Sequence, residues 1–278
     1  IGLRKIMGFK PRLLRETAEI ALTEIKRFIE PRLSEDFSLR RVSAPMFLPV
    51  GSELLTPGKR GAVVRLDASG TEVEIVGSLD VWLRGQLLRY DIAPGFGVFT
   101  IMNGLRPDLP DNSTSSPHVA AWAWQQAVEQ NQCNPAHMVA MARKVHKLLV
   151  DTEKMVLSLF PHLHATLARD LEEMAVDDME RLYPGLTHER RVYEHLHPER
   201  KDDAGECRQS VLLVWHTNGV CEAVGELWVW NRIIEHPVML ADFGAWRNDG
   251  IAGCSLGGNI WRNFLALQIL HQDRLMRE

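Results

Sequence analysis

The sequence predicts an α+β fold: a mostly antiparallel sheet flanked by helices, in a single domain covering residues 1–278. Two observations carry that expectation. Residues 61–76 and 211–230 each hold two short runs of β-branched and aromatic residues around turn-forming residues, which is hairpin patterning. Residues 11–32 and 135–160 instead repeat apolar side chains at helical spacing. Hairpins flanked by helices pack as one sheet with helical cover.

Taken in order, residues 11–32 set Leu13, Leu14, Ala18, Ile20, Ala21, Ile25, Phe28 and Ile29 on one helical side, with Pro31 expected to end the helix. Residues 39–48 read as a strand that carries Pro45, and a proline there suits an edge strand. Val63, Val64 and Leu66 face Val73, Ile75 and Val76 across Asp67-Ala68-Ser69-Gly70, a hairpin. Residues 98–106 and 118–126 are two more strands, joined by a polar, Pro-rich loop over 107–117 that is expected to be mobile. Residues 135–160 form the clearest helix, and the stripe Met138, Met141, Met155 is core packing. Residues 167–199 are expected to be helical, broken at Tyr183-Pro184-Gly185. Two strands, 211–215 and 224–230, flank a turn at Asn218-Gly219, and 237–243 is a further strand. The small-residue run Gly253, Ser255, Gly257, Gly258 reads as a turn that opens a last helix near Arg262.

Composition narrows the function classes. With 278 residues, 45% apolar and 24% charged, the chain can bury a full globular core. A net charge of −4 without a basic stripe argues against nucleic acid as the main partner. No apolar run approaches a membrane span and no signal-peptide pattern opens the chain, so no membrane partner and a cytoplasmic location are expected. Four scattered cysteines without a Cys-x-x-Cys pair read as reduced thiols. The pairs His162/His164 and His195/His197 lack partners that would fix a metal and read as solvated or satisfied histidines.

The densest chemical signal lies in residues 76–108. Ser78, Trp82 and Arg84 are followed by Asp91, a Gly-rich turn (Gly95, Gly97), an apolar strand and Leu105-Arg106-Pro107-Asp108. An arginine at the end of a buried strand is a fixed cation whose planar fork suits a phosphate and a carboxylate oxygen together. The plainer reading is a local Arg106–Asp108 salt bridge.

This block resembles the ammonia-dependent aspartate–ammonia ligase family (asparagine synthetase A), a relative of the class II aminoacyl-tRNA synthetases. The residues that carry the resemblance are Ser78-Leu79-Asp80-Val81-Trp82-Leu83-Arg84, Asp91, Gly95 and Gly97, Leu105 to Asp108, and Trp122-Ala123-Trp124. It implies a class II synthetase-like catalytic core, ATP and Mg²⁺ as cofactors, and a homodimer formed through the first helix and the strand with Pro45. It implies Arg106 as the catalytic cation on the α-phosphate. Arg262, Gly257, Gly258 and Ser116 join it around the nucleotide. Glu226 and Asp242 become the metal ligands, and Ser78 and Arg84 border the acid. Each has a structural alternative: Glu226 and Asp242 as surface acids, Ser116 as a turn serine, and the glycines as an ordinary turn at a helix start.

The chain also departs from the family pattern. Leu83 stands where the family has a substrate-binding Lys, and Ala121 and Ala123 where it has a Gln and an Asp that hold the amino acid. Residues 52–58 contain no Asp, although the family segment carries a catalytic one. An aspartate pocket without these groups leaves substrate charges unpaired. The walls Leu83, Ala121 and Ala123 suit a less polar or bulkier acid. The expected function is an ATP-dependent carboxylate–amine ligase working through an acyl-adenylate. Its substrates are a small-molecule carboxylic or amino acid other than aspartate, and ammonia or another amine. The alternatives are a non-catalytic paralogue acting as a regulatory or partner protein and, third, asparagine synthesis itself.

Overall fold

Alternating apolar residues along successive strands give the chain one sheet with two dressed faces. The computed structural model describes residues 12–66, 70–110, 116–198, 210–216, 221–232, 234–247 and 253–270. The chain runs α1 (Arg15–Glu35), β1 (Leu39–Arg41), β2 (Phe47–Pro49), β3 (Ala62–Arg65), β4 (Glu72–Ile75) and α2 (Asp80–Arg89). It continues through β5 (Gly97–Leu105), β6 (His118–Ala127), α3 (Pro135–Leu159), β7 (Glu172–Ala175), α4 (Val176–Leu182) and α5 (His188–Leu196). It closes with β8 (Ser210–His216), β9 (Cys221–Asn231), β10 (His236–Trp246), β11 (Ser255–Trp261) and α6 (Arg262–Leu270).

Eight strands form the main sheet in the order β1-β5-β6-β11-β10-β9-β8-β7. The outermost pairs, β1 with β5 and β7 with β8, are parallel, and every pair between them is antiparallel. A separate three-stranded sheet, β2-β4-β3, holds the 61–76 hairpin. This is the α+β, mostly antiparallel arrangement expected from the hairpin patterning.

Register sorts the side chains. Phe99, Trp122, Trp124, Ile260, Ala241 and Phe243 bury against α1 and α3 in the main core. The intervening residues Val98, Met102, Ala121, Ala123 and Trp261 turn to the other face, beneath Leu83 and Leu87 of α2 and Leu79 just before it. Farther along that second face, α4 and α5 cover Val211 and Leu213. The second face is therefore capped at both ends and left polar between.

Several expectations need correction. Pro31 does not end α1, which runs on to Glu35. Ile29 and Leu33 are fully buried on either side of it, so tertiary packing offsets the missing N–H. Residues 172–175 are strand β7, because Glu172 to Ala175 add as a parallel edge to β8. Pro45 lies in the connection between β1 and β2, not within a strand. Residues 255–261 form β11, a central strand. The turn at Asn218-Gly219 and residues 111–115 of the 107–117 loop lie outside the described residues.

A buried carboxylate fastens α3 to the chain that follows it. Glu153 is 3% exposed and accepts from Thr166 N at 2.7 Å, Thr166 Oγ1 at 2.6 Å and Leu167 N at 3.1 Å. Burial pushes its carboxyl above the ordinary range against these bonds. Truncating it strands the buried N–H groups of Thr166 and Leu167, while the Thr166 hydroxyl keeps the Gln268 carbonyl at 3.3 Å. Glu153→Ala is expected to lose about 3 kcal/mol in urea unfolding, and Glu153→Gln, which keeps an acceptor, less than half of that.

Candidate active site

Between α2 and α5 one row of directly paired residues crosses the second face of the sheet. Ala123 on β6 faces Asn259 on β11, Asn259 faces Asp242 on β10, and Asp242 faces Glu226 on β9. Opposed residues project to the same side, so three polar side chains stand together in the cleft. A register shift between Met239 and Ala241, just before Asp242, sets that phase.

Both flanking helices point their N-termini at this row. Asp80, the first residue of α2, accepts from Asn259 Nδ2 at 3.2 Å and from Lys59 Nζ at 2.8 Å. Ser78 Oγ receives the Asp80 backbone N–H at 3.2 Å, and this stabilises the helix start. Asn259 also donates its backbone N–H at 3.0 Å and Nδ2 at 2.9 Å to Asp242 Oδ1. Lys59 Nζ lies 3.9 Å from Asp242 Oδ2. On the far side His188, which opens α5, meets Glu226 Oε2 at 3.0 Å, and Trp228 Nε1 donates to the same oxygen at 2.8 Å.

Lys59 reaches the cleft from the loop between β2 and β3. Glu74, 1% exposed, anchors that loop by accepting from Gly61 N at 2.7 Å and Arg60 Nε at 3.1 Å. Gly77 lets the loop close: a Cβ there would stand 2.6 Å from Lys59 O and 2.9 Å from Arg106 Cδ. Arg106 follows the last residue of β5 and forks onto Asp108 through Nε at 2.9 Å and Nη2 at 2.6 Å. Those bonds hold the Asp108 carboxyl below its usual range. Ser116, buried, precedes Pro117, whose carbonyl accepts the Arg106 N–H at 2.7 Å.

The charges shift one another. Burial alone would lower the Lys59 pKa, but Asp80 and then Asp242 outweigh it and leave the ammonium above its ordinary range, with the nearby Arg106 opposing them. Burial works against ionised Asp80, and Lys59 outweighs it, so Asp80 stays below the usual carboxylate range. Asp242 receives less of that cation. Burial pushes it up to about 6, with the Asp80 and Glu226 charges adding to the rise.

The sequence-predicted residues divide. Arg106, Ser78, Asp242 and Glu226 gather at or beside the cleft. Arg84 lies one turn along α2, its guanidinium 5.0 Å over the Trp246 ring. Leu83, Ala121 and Ala123 are 0% exposed and pack α2 onto β6, so they are core rather than open pocket wall. Gly257 and Gly258 are not a turn: β11 pairs with β10 and β6, which puts their backbone groups in the ladder. Arg262 does not join Arg106. Its guanidinium bonds Met102 O at 3.0 Å and Asn103 Oδ1 at 2.6 Å and lies by Trp122 and Glu30, on the α1 side of the sheet. Lys59, Asp80, Asn259 and His188 were missed. Their only sequence signals were a basic pair between Gly58 and Gly61, an acid at a helix start and an Asn closing a glycine run.

The comparisons to known proteins bear on both family and fold. The family model for aspartate-ammonia ligase matches residues 16–200. The chain belongs to the aspartate–ammonia ligase family. The aspartate–ammonia ligase of Parabacteroides distasonis is 26% identical over 271 residues, covering 87% of this chain and 76% of that protein. The Ruminiclostridium cellulolyticum enzyme is 31% identical over 68% of this chain and 58% of its own length. The Clostridium perfringens enzyme is 33% identical over 66% and 56%. In those two alignments the chain spans less than two thirds of the relative. Among solved structures, Entamoeba histolytica asparaginyl-tRNA synthetase in complex with asparaginyl-adenylate superposes with a TM-score of 0.64 at 8% identity, over 93% of this chain and 65% of its own. This family member therefore has the class II synthetase fold.

The raised carboxyl of Asp242 makes a signed prediction. With a folded pKa of about 6 against an ordinary 3.8, the folded state takes up a proton across that window. Stability from this group falls as pH rises from about 4 to about 6 and stays low above. Asp242→Asn keeps an acceptor and removes the charge. Its Tm relative to the parent is expected to be higher at pH 8 than at pH 4.5, as thermal melts at both values will read.

Proposed function

We propose that this family member is an ATP-dependent carboxylate–amine ligase that proceeds through an acyl-adenylate, releases AMP and acts on an acid other than aspartate. The observation that carries the reading is the position of Leu83, Ala121 and Ala123. Where the family has a Lys, a Gln and an Asp for its amino acid, these three are sealed into the layer between α2 and β6. An aspartate bound there would keep charged groups unpaired in a dry site.

In this reading Arg106 holds the acid's carboxylate against the α-phosphate of ATP, because its fork can move from the half-exposed Asp108 to those oxygens. A carboxylate oxygen attacks the α-phosphorus and pyrophosphate leaves. The amine nitrogen then attacks the acyl carbon, loses a proton, and AMP departs. Lys59 adds a second cation beside Arg106 for the accumulating phosphate charge.

Asp242 and Glu226 fit a Mg²⁺ that arrives with phosphates. Each leaves one oxygen, Oδ2 and Oε1, without a hydrogen bond among the described residues, and Mg²⁺ takes one or two carboxylates with phosphate and water. No group of three or more His, Cys, Asp or Glu side chains is arranged for a metal among the described residues. When bound, the ion neutralises phosphate charge. A homodimer through α1 and the segment around Pro45, and a cytoplasmic location, belong to the same proposal. No helix among the described residues is long and apolar enough to cross a membrane.

One observation favours a second reading, a non-catalytic paralogue. The Lys59 ammonium sits between Asp80 and Asp242, and Asn259 ties both carboxylates together, so the cleft floor is already charge-paired. ATP–pyrophosphate exchange over a panel of acids separates the two. The ligase reading expects exchange with at least one acid other than aspartate and a loss of about 10²-fold or more in Arg106→Ala. No exchange with any acid and no calorimetric ATP binding would establish the second reading, and exchange with aspartate would refute the altered pocket.

A further inference from the structure

Past the Asp242 row, the second face of the sheet continues to Gly244 on β10 and Gly257 on β11, which lie directly opposite each other. A Cβ at either would push a neighbouring side chain aside. At Gly257 it would stand 2.2 Å from Gln125 Cδ and 2.4 Å from both Nε2 and Oε1, so the carboxamide lies face-down on the glycine. At Gly244 it would meet the Trp246 ring at 2.4 Å. The paired glycines are a floor, and an amide and an indole lie on it side by side.

Gln125 is 0% exposed, and neither Nε2 nor Oε1 has a hydrogen-bond partner among the described residues. Ser255, cross-strand from Trp246 and two residues before Gly257, is likewise 0% exposed, and its Oγ has no partner among the described residues. Buried polar groups are almost always paired, and a carboxamide that lacks both bonds is costly to keep in a dry site. Leu or Met would fill the same volume without that cost. A donor and an acceptor held side by side, with a hydroxyl nearby and a flat aromatic ring for cover, match a planar group with the complementary pair of atoms.

We propose that Gln125 reads the side chain of the acid, and that the substrate is a carboxylic acid ending in a carboxamide or ureido group. This rests on the ligase reading above. One ligand N–H donates to Gln125 Oε1, the ligand carbonyl accepts from Nε2, and Ser255 Oγ takes a second N–H. Trp246 swings off Gly244 and covers the planar group. A carboxylate offers acceptors only and meets Oε1 with repulsion, so aspartate and glutamate are disfavoured.

The test is calorimetric titration without ATP, using asparagine, glutamine and citrulline against glutamate and norleucine. The parent is expected to bind at least one amide or ureido acid about tenfold or more tightly than either counterpart. Gln125→Leu is expected to lose about 10- to 100-fold for that acid while norleucine gains. A thermal melt checks that the variant folds, and Ser255→Ala, a smaller change, is expected to weaken the same acid alone. If glutamate binds the parent as well as the amides do, if none of the three binds, or if Gln125→Leu keeps the preference, the inference is overturned. Pyrophosphate exchange tells the two failures apart. Exchange with an acid lacking the amide, other than aspartate, sinks this inference and leaves the ligase reading, whereas amide-acid binding without any exchange sinks the ligase reading and leaves Gln125 as the reader of a bound ligand rather than of a substrate.

Discussion

The cleft is organised around one buried anion. Asp80 opens α2, where the helix dipole and Ser78 favour its charge, and it is the shared partner of Lys59 and Asn259. Through Lys59 it holds the loop between β2 and β3, and through Asn259 it fixes α2 against β11. Arg106 depends on the same arrangement, because its stem passes Gly77 beside the backbone of Lys59. Neutralising Asp80 would leave Lys59 with only Asp242, 3.9 Å away and itself reluctant to ionise. The position of the cation, the angle of α2 and the charge state of Asp242 are one coupled problem.

The two faces of the sheet answer different demands. The face under α1 and α3 is closed by tryptophans, phenylalanine and aliphatic side chains, with Trp122 Nε1 satisfied by Glu30 at 3.2 Å. The opposite face is apolar only beneath α2 and beneath α4 and α5. Between them it keeps a polar row in which Asn259 holds Asp242, while His188 and Trp228 hold Glu226. A rigid apolar side supporting a polar one is what precise placement of reacting groups requires, because side chains on central strands move less than side chains on loops.

Much of this was legible in the chain. Hairpin patterning and the 3.6-residue period placed most strands and the long helices, since those signals report burial on one face. Glu226 and Asp242 were expected together because two antiparallel strands carry them, and they are direct cross-strand partners. Pro31 misled, because the cost of a helix proline is local and the burial of Ile29 and Leu33 is tertiary. Gly257 and Gly258 misled in the opposite direction. Glycines before a helix look like a turn, but here they let Gln125 and the β10 backbone approach a strand closely. Lys59, Asp80 and Asn259 come from three segments far apart in sequence. Their meeting is a property of the sheet order and of no local pattern.

The outermost strands of the main sheet have a meaning separate from the cleft. β1 has three residues and β7 has four, while the interior strands run from seven to eleven. A short rim exposes few unpaired N–H and C=O groups, and a second chain finds little on which to template itself. A wide, largely apolar sheet with long open edges invites pairing with another chain. By tapering at both ends, this chain confines its adhesive backbone to the interior and remains a poor seed for fibres.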